Sequence, residues 1–119
     1  MFIIVIKGTN VGSVYALSKS DITAIGRGEE CDIRVLDLLV SRRHCQIEWK
    51  NNNFYVKDLN SKNKTLLNKK IVEKQEKLEP GDIIRTGNTI LLFTDKEEMP
   101  VKGFEEYQIM RMSQTRQIG

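Results

Sequence analysis

One histidine, one tryptophan, two cysteines and two prolines are all the chain has of these residues in 119 positions, and each scarcity removes a class of chemistry. His44 stands without a cysteine or carboxylate at ligand spacing, so no set of residues suits zinc. Cys31 and Cys45 could in principle pair. However, Cys45 falls on the apolar side of a strand and Cys31 in a loop, with no C-x-x-C spacing; reduced thiols in a cytoplasmic protein are expected. No apolar run approaches the roughly 20 residues of a membrane span. The opening Met1 to Ile6 has no basic n-region and no cleavage site, and reads as a strand rather than a leader. Before residue 95 no apolar pattern sustains three helical turns. Internal repeats and low-complexity segments are also missing.

Charge of one sign is modest as well. Nineteen Lys and Arg against sixteen Asp and Glu give +3, too mild to argue for nucleic acid but inclined toward anionic partners. Hydrophobic and charged contents of 39% and 29% are those of an ordinary globular protein, and the length suits one domain.

What the chain does have is short strands separated by turn chemistry. Phe2 to Ile6 is apolar and β-branched; Val14 to Leu17 and Ile22 to Ile25 follow. From Cys45 to Trp49 the alternation is clean, with Cys45, Ile47 and Trp49 on one face and Gln46 and Glu48 on the other. Asn51-Asn52-Asn53 makes a turn, after which Phe54 and Val56 resume the inward face. Glu79-Pro80-Gly81-Asp82 has proline and glycine at the centre of a type II turn. Gly87-Asn88 joins Ile83–Arg85 to Ile90–Phe93 as a hairpin. Many short strands at regular spacing predict an all-β sandwich or barrel. Strands 2–6 and 90–93 are apolar on both faces, although a two-layer sandwich buries only one face of each sheet. The tail, a second copy or a further domain is expected to cover the other.

Three polar segments carry the candidate chemistry. In Gly26-Arg27-Gly28 an arginine leaves a strand end between glycines, and a guanidinium fork matches phosphate bidentately. Ser41-Arg42-Arg43-His44 supplies a hydroxyl donor and more positive charge. Asp58 to Thr65 is a turn by composition, and the Asn63 amide has both a donor and an acceptor for a passing peptide backbone. Ser41 and His44 also pose the question of a hydrolase. There is no G-x-S-x-G elbow and no third member, so the histidine is expected to brace the Ser41 loop instead.

Taken together, Gly26-Arg27, Ser41-x-x-His44, Asp58-Leu59-x-Ser61-x-Asn63-x-Thr65, Asn68 and Leu78-x-x-Gly81-Asp82 resemble, in order, the pattern of the forkhead-associated (FHA) domain. The resemblance runs from about Ile22 to Phe93. It implies a two-sheet β-sandwich of about eleven short strands with ligand loops at one end, and recognition of phosphothreonine peptides without catalysis or cofactor. It implies phosphate contacts from Arg27, Ser41 and Arg42, and peptide contacts from Lys62 and Asn63. Gly26, His44, Thr65 and Asn68 are then architectural. The chain departs from the family where Lys64 replaces the usual glycine of Asn-Gly-Thr, and where Asn60 and Lys69 stand in place of glycines. Lys64 then either carries strain of about 1 kcal/mol at positive φ or gives the turn another shape.

The expected partner is a phosphothreonine-containing protein or peptide, with no nucleic acid and no membrane, bound by a monomer. The alternative within the same fold is a scaffold that binds proteins without phosphate. Residues 1–96 are read as the sandwich domain and 97–119 as a tail or linker. In the tail, Phe104, Tyr107 and Met110 lie three apart, as on one face of a short helix.

Overall fold

A computed structural model of the protein describes residues 1–98. Eleven strands run along this span: β1 (Phe2–Lys7), β2 (Val14–Ala16), β3 (Thr23–Gly26), β4 (Ile33–Arg34), β5 (Cys45–Lys50), β6 (Asn53–Asp58), β7 (Thr65–Leu67), β8 (Lys70–Ile71), β9 (Gln75–Lys77), β10 (Ile83–Thr86) and β11 (Thr89–Thr94). They form two sheets, β2-β1-β11-β10-β7-β8 and β4-β3-β5-β6-β9. The architecture is the expected all-β sandwich.

Strand register explains which residues meet between the sheets. In the first sheet Ile3 pairs with Phe93 and Val5 with Leu91. In the second, Ile47 pairs with Val56 and with Thr23. Ile3, Val5, Ile47, Val56, Leu91 and Phe93, with Ile25, Ile33, Phe54 and Ile84, belong to the main buried cluster. Phe54 bridges the layers, edge-on to Trp49 at 4.8 Å and to Phe93 at 5.9 Å. Each fully buried aliphatic or aromatic side chain contributes about 1.5–3 kcal/mol by leaving water. The strand read from Ile22 starts one residue later, because Thr23 and Ile25 turn inward while Ile22 stays exposed.

The turns follow their residues. Asn51 and Asn52 both take positive φ, at 51° and 62°, which matches the twist of the β5–β6 hairpin. Gly81 takes φ 96° and the Asp82 amide closes the turn on the Glu79 carbonyl at 3.0 Å, as type II geometry requires. Asn68 fastens this turn to β7: its Nδ2 donates to Asp82 Oδ1 at 2.9 Å and its Oδ1 accepts from the Ile83 amide at 2.9 Å.

Both cysteines are buried and unpaired. Burial pushes the Cys45 thiol up to about 12. Burial, followed by the Glu30 carboxylate, raises Cys31. Neither is poised to act as a thiolate. The reading of Phe104, Tyr107 and Met110 as a helix face lies outside the described residues.

Candidate functional site

The loops after β3, before β5 and after β6 are tied to one another, which brings the three polar segments into one constellation. Gly26 is the tightest point. A Cβ there would stand 2.2 Å from the Arg42 carbonyl oxygen and 2.8 Å from its carbon, so only glycine lets the two backbones approach. The Arg27 amide then donates to Ser41 O, and that of Gly28 to Arg42 O, both at 3.0 Å.

Arg27 is aimed by its own side chain. Its Nε donates to Val40 O at 3.1 Å, and among the described residues its two Nη groups have no partner. The guanidinium is therefore anchored on one edge and open on the edge that forks onto a phosphate. Ser41 is prepared in the same way. Its Oγ accepts the Lys62 amide at 3.1 Å, which leaves the hydroxyl proton free to donate.

His44 is fully buried. The Ser41 amide donates to its Nδ1 at 3.0 Å, so the proton sits on Nε2 and is donated to Lys64 O at 2.8 Å. One ring joins the second loop to the third. With both nitrogens engaged on backbone, none is left for the Ser41 hydroxyl, and a serine–histidine relay cannot be assembled from this pair.

The third loop is organised by Asp58. Its Oδ1 accepts from Ser61 Oγ at 2.5 Å and from Thr65 Oγ1 at 2.7 Å, and its Oδ2 from the Ser61 amide at 3.1 Å. Burial alone would raise this carboxyl. The hydrogen bonds from Ser61 and Thr65, with His44 nearby, outweigh it and hold the pKa below the usual value. Lys64 adopts φ 66°, Asn60 58° and Lys69 73°. The turn therefore keeps the left-handed geometry that glycine would take freely, and lysine bears it. Asn63 Nδ2 donates to Leu39 O at 2.8 Å. Its Oδ1 and second N–H remain available.

The other candidates stand around this core. Arg42 is exposed and lies 3.8 Å from Glu30, a weak surface pair that an anion could displace. Lys62 is exposed on the loop that reaches Ser41, and Thr65 is buried against Asp58. Asn68 lies away from these loops, in the Asp82 turn.

Asp37 is the residue that sequence reasoning missed. It accepts from the Leu39 amide at 2.9 Å, the Asn88 amide at 2.8 Å and Thr89 Oγ1 at 3.1 Å. Burial opposes ionisation here too, but these three donors win and the pKa is lowered. Asp37 thus fixes the Leu38–Val40 segment to the β10–β11 turn. A lone carboxylate inside the apolar run from Val35 to Val40 was the signal available.

An FHA domain family model matches residues 23–87, and the chain belongs to the FHA domain family. Among curated proteins it is similar to the glycogen accumulation regulator GarA of Mycobacterium tuberculosis, at 37% identity over 91 residues, covering 76% of this chain and 55% of GarA. It is also similar to the oxoglutarate dehydrogenase inhibitor of Corynebacterium diphtheriae, at 34% identity over 93 residues, covering 78% of this chain and 64% of that one. The chain thus spans little more than half the length of GarA. Among solved structures, one described in a structural and functional analysis of phosphothreonine-dependent FHA domain interactions superposes with TM-score 0.69 at 33% identity, covering 76% of this chain and 91% of that one. The FHA domain of an Arabidopsis thaliana hypothetical protein gives 0.73 at 29%, covering 86% and 89%.

Proposed function

We propose that this chain is a non-catalytic module that recognises phosphothreonine in a protein or peptide partner and so places its parent protein under Ser/Thr phosphorylation control. Membership of the FHA family supports this reading, as does the phosphothreonine dependence named for a structural neighbour. The observation that carries it is the state of the donors. Arg27 is anchored through Nε with both Nη groups open, and one loop away Ser41 is anchored through its acceptor with its proton free. A phosphate between them would gain charge-assisted bonds from donors already oriented, so little ordering entropy is lost on binding.

Arg42 joins after leaving Glu30. Lys62 adds attraction for a group of about −1.5 to −2 charges. Asn63 uses its remaining amide groups on the peptide main chain, while its bond to Leu39 O keeps the wall in place. Residues 1–96 form the recognition unit. GarA is named a regulator and the corynebacterial relative an enzyme inhibitor. By analogy, this module acts by docking on a target rather than by chemistry.

Calorimetry with one peptide in phosphorylated and unphosphorylated threonine forms tests the proposal. Binding is expected for the phosphorylated form alone; equal affinity for both would overturn it. Arg27→Ala should weaken binding by about 2–4 kcal/mol while leaving the fold intact, since the arginine is a ligand and not core.

A further inference from the structure

The β8–β9 connection crosses from the edge of one sheet to the edge of the other. It leaves a groove of about 740 Å³ beside the third loop. Val72 is buried at its base, and Asn60 and Lys64 of the loop form one wall. Lys57 and Lys74 also line it. Register sets Lys57 there, since it pairs with Gln75 between β6 and β9.

Backbone joins this groove to the phosphate loops. The Val72 amide donates to Thr65 O at 2.9 Å, and the Lys64 carbonyl beside it is held by His44. Two residues back, the Lys62 amide is bonded to Ser41 Oγ at 3.1 Å. Two Cα steps beyond that bond put Lys64 Cα within about 12 Å of the Ser41 hydroxyl.

Charge sets the groove apart. Residues 57–77 hold seven lysines against three carboxylates, a net +4 in a chain whose total is +3. Lys57, Lys64 and Lys74 are exposed, and among the described residues none of their ammonium groups has an ion pair or a hydrogen-bond partner. Two carboxylates line the groove with them. Asp58 is committed to Ser61 and Thr65, which leaves Glu73 to oppose three ammonium groups.

We propose that this groove is a second subsite for the phosphothreonine peptide. It takes aspartate or glutamate side chains roughly three to six places from the phosphothreonine, at the reach of an extended chain. The inference rests on the phosphothreonine reading of Arg27 and Ser41 and adds the class of partner sequence preferred. The occupant is the same peptide, because Lys64 belongs both to the groove and to the loop that carries Asn63. A main chain held at Asn63 runs on to the groove without a break, and its carboxylates meet unpaired cations. Each exposed pair is worth at most a few-fold in affinity, so the preference comes from several together. A peptide with uncharged flanks leaves the groove empty.

Calorimetry on the full chain, at about 0.1 M salt to limit long-range attraction, tests this with three phosphothreonine peptides. One has uncharged flanks, one has acidic residues before the phosphothreonine, and one has them after it. One of the acidic peptides is expected to bind about fivefold tighter than the uncharged one. K57Q/K74Q, which leaves the Lys64 turn untouched, should cut that advantage to about twofold or less and keep the affinity for the uncharged peptide. K7Q/K19Q, at exposed lysines outside the groove, should keep the advantage. The proposal is overturned by no advantage in the wild-type chain, by equal gains from both acidic peptides, or by an advantage that survives K57Q/K74Q. An equal loss in K7Q/K19Q would overturn it too. In each case, binding of the uncharged phosphopeptide still upholds the phosphothreonine reading. If that peptide binds no better than its unphosphorylated form, the reading itself falls and this inference with it.

Discussion

The sheets and the loop end of this molecule are stabilised by different means, and the difference shows why the site can hold open donors without collapsing. In the sheets, Ile3, Val5, Leu91 and Phe93 face Ile25, Ile47 and Val56, and stability comes from apolar burial. At the loop end the chain makes sharp, polar and partly strained turns, with Asn60 and Lys64 at positive φ. Single side chains hold them by bonding to backbone, some of it distant in sequence: Asp37 to residues 39 and 88, His44 to 41 and 64, and Asp58 to 61. The structural groups carry the architecture. Arg27, Ser41 and Asn63 each spend one group on position and leave others open.

Breaking the loop end at its tightest point should have the largest effect. Gly26→Ala puts a Cβ into the Arg42 carbonyl, where only backbone can give way. A loss of about 3 kcal/mol or more is expected in denaturant unfolding. A loss below about 1 kcal/mol would mean that the loops yield more than the sheets do.

Next comes His44→Ala. It strands the Ser41 amide and the Lys64 carbonyl and leaves a cavity. The expected cost is about 2–4 kcal/mol of stability. Phosphopeptide affinity should also fall although the ring touches no ligand, because Ser41 and the Asn63 turn lose their common brace. Unchanged affinity at reduced stability would separate the brace from the site.

Acid should act more strongly on the loops than on the sheets. Asp37 and Asp58 both have folded pKa values below their unfolded ones. Each therefore contributes stability that is fully present above the unfolded carboxylate value near 4 and is lost as pH falls through the lower folded value. Amide exchange below pH 4 is expected to rise first at residues 37–41 and 59–65. Uniform loosening of both sheets at the same pH would contradict the comparison.

Lys64→Gly should have the smallest effect. Glycine relieves the φ of 66° but costs unfolded-state entropy, so stability should rise by no more than about 1 kcal/mol. Phosphopeptide affinity should stay within about threefold, since the turn already has the shape that glycine would give. A large gain in affinity would mean that the lysine distorts the wall carrying Asn63.

Much of this was legible in the chain because it is local. Alternation from Cys45 to Trp49, the Asn51-Asn52 turn and Pro80-Gly81 each depend on a few neighbouring residues, and the structure follows them. Sheet order was not legible: the pairing of β1 with β11 and the short parallel pair β3–β4 depend on contacts distant in sequence. Ile33-Arg34 is too short to show a period. The three polar segments stood out by type and spacing, and the motif resemblance placed them together. Asp37 did not stand out, because its partners Asn88 and Thr89 lie about fifty residues away. The left-handed φ of Lys64 could be posed as a question from its place in Asn-Lys-Thr, but only the backbone answers it.

The division of labour between sheets and loops is tested most directly by following backbone amide signals while a phosphothreonine peptide is added. Shifts confined to Gly26–Gly28, Leu39–Arg42 and Lys62–Lys64, with β1 and β11 unmoved, are the predicted result. The same shifts from the unphosphorylated peptide, or shifts centred on the sheet faces, would contradict it.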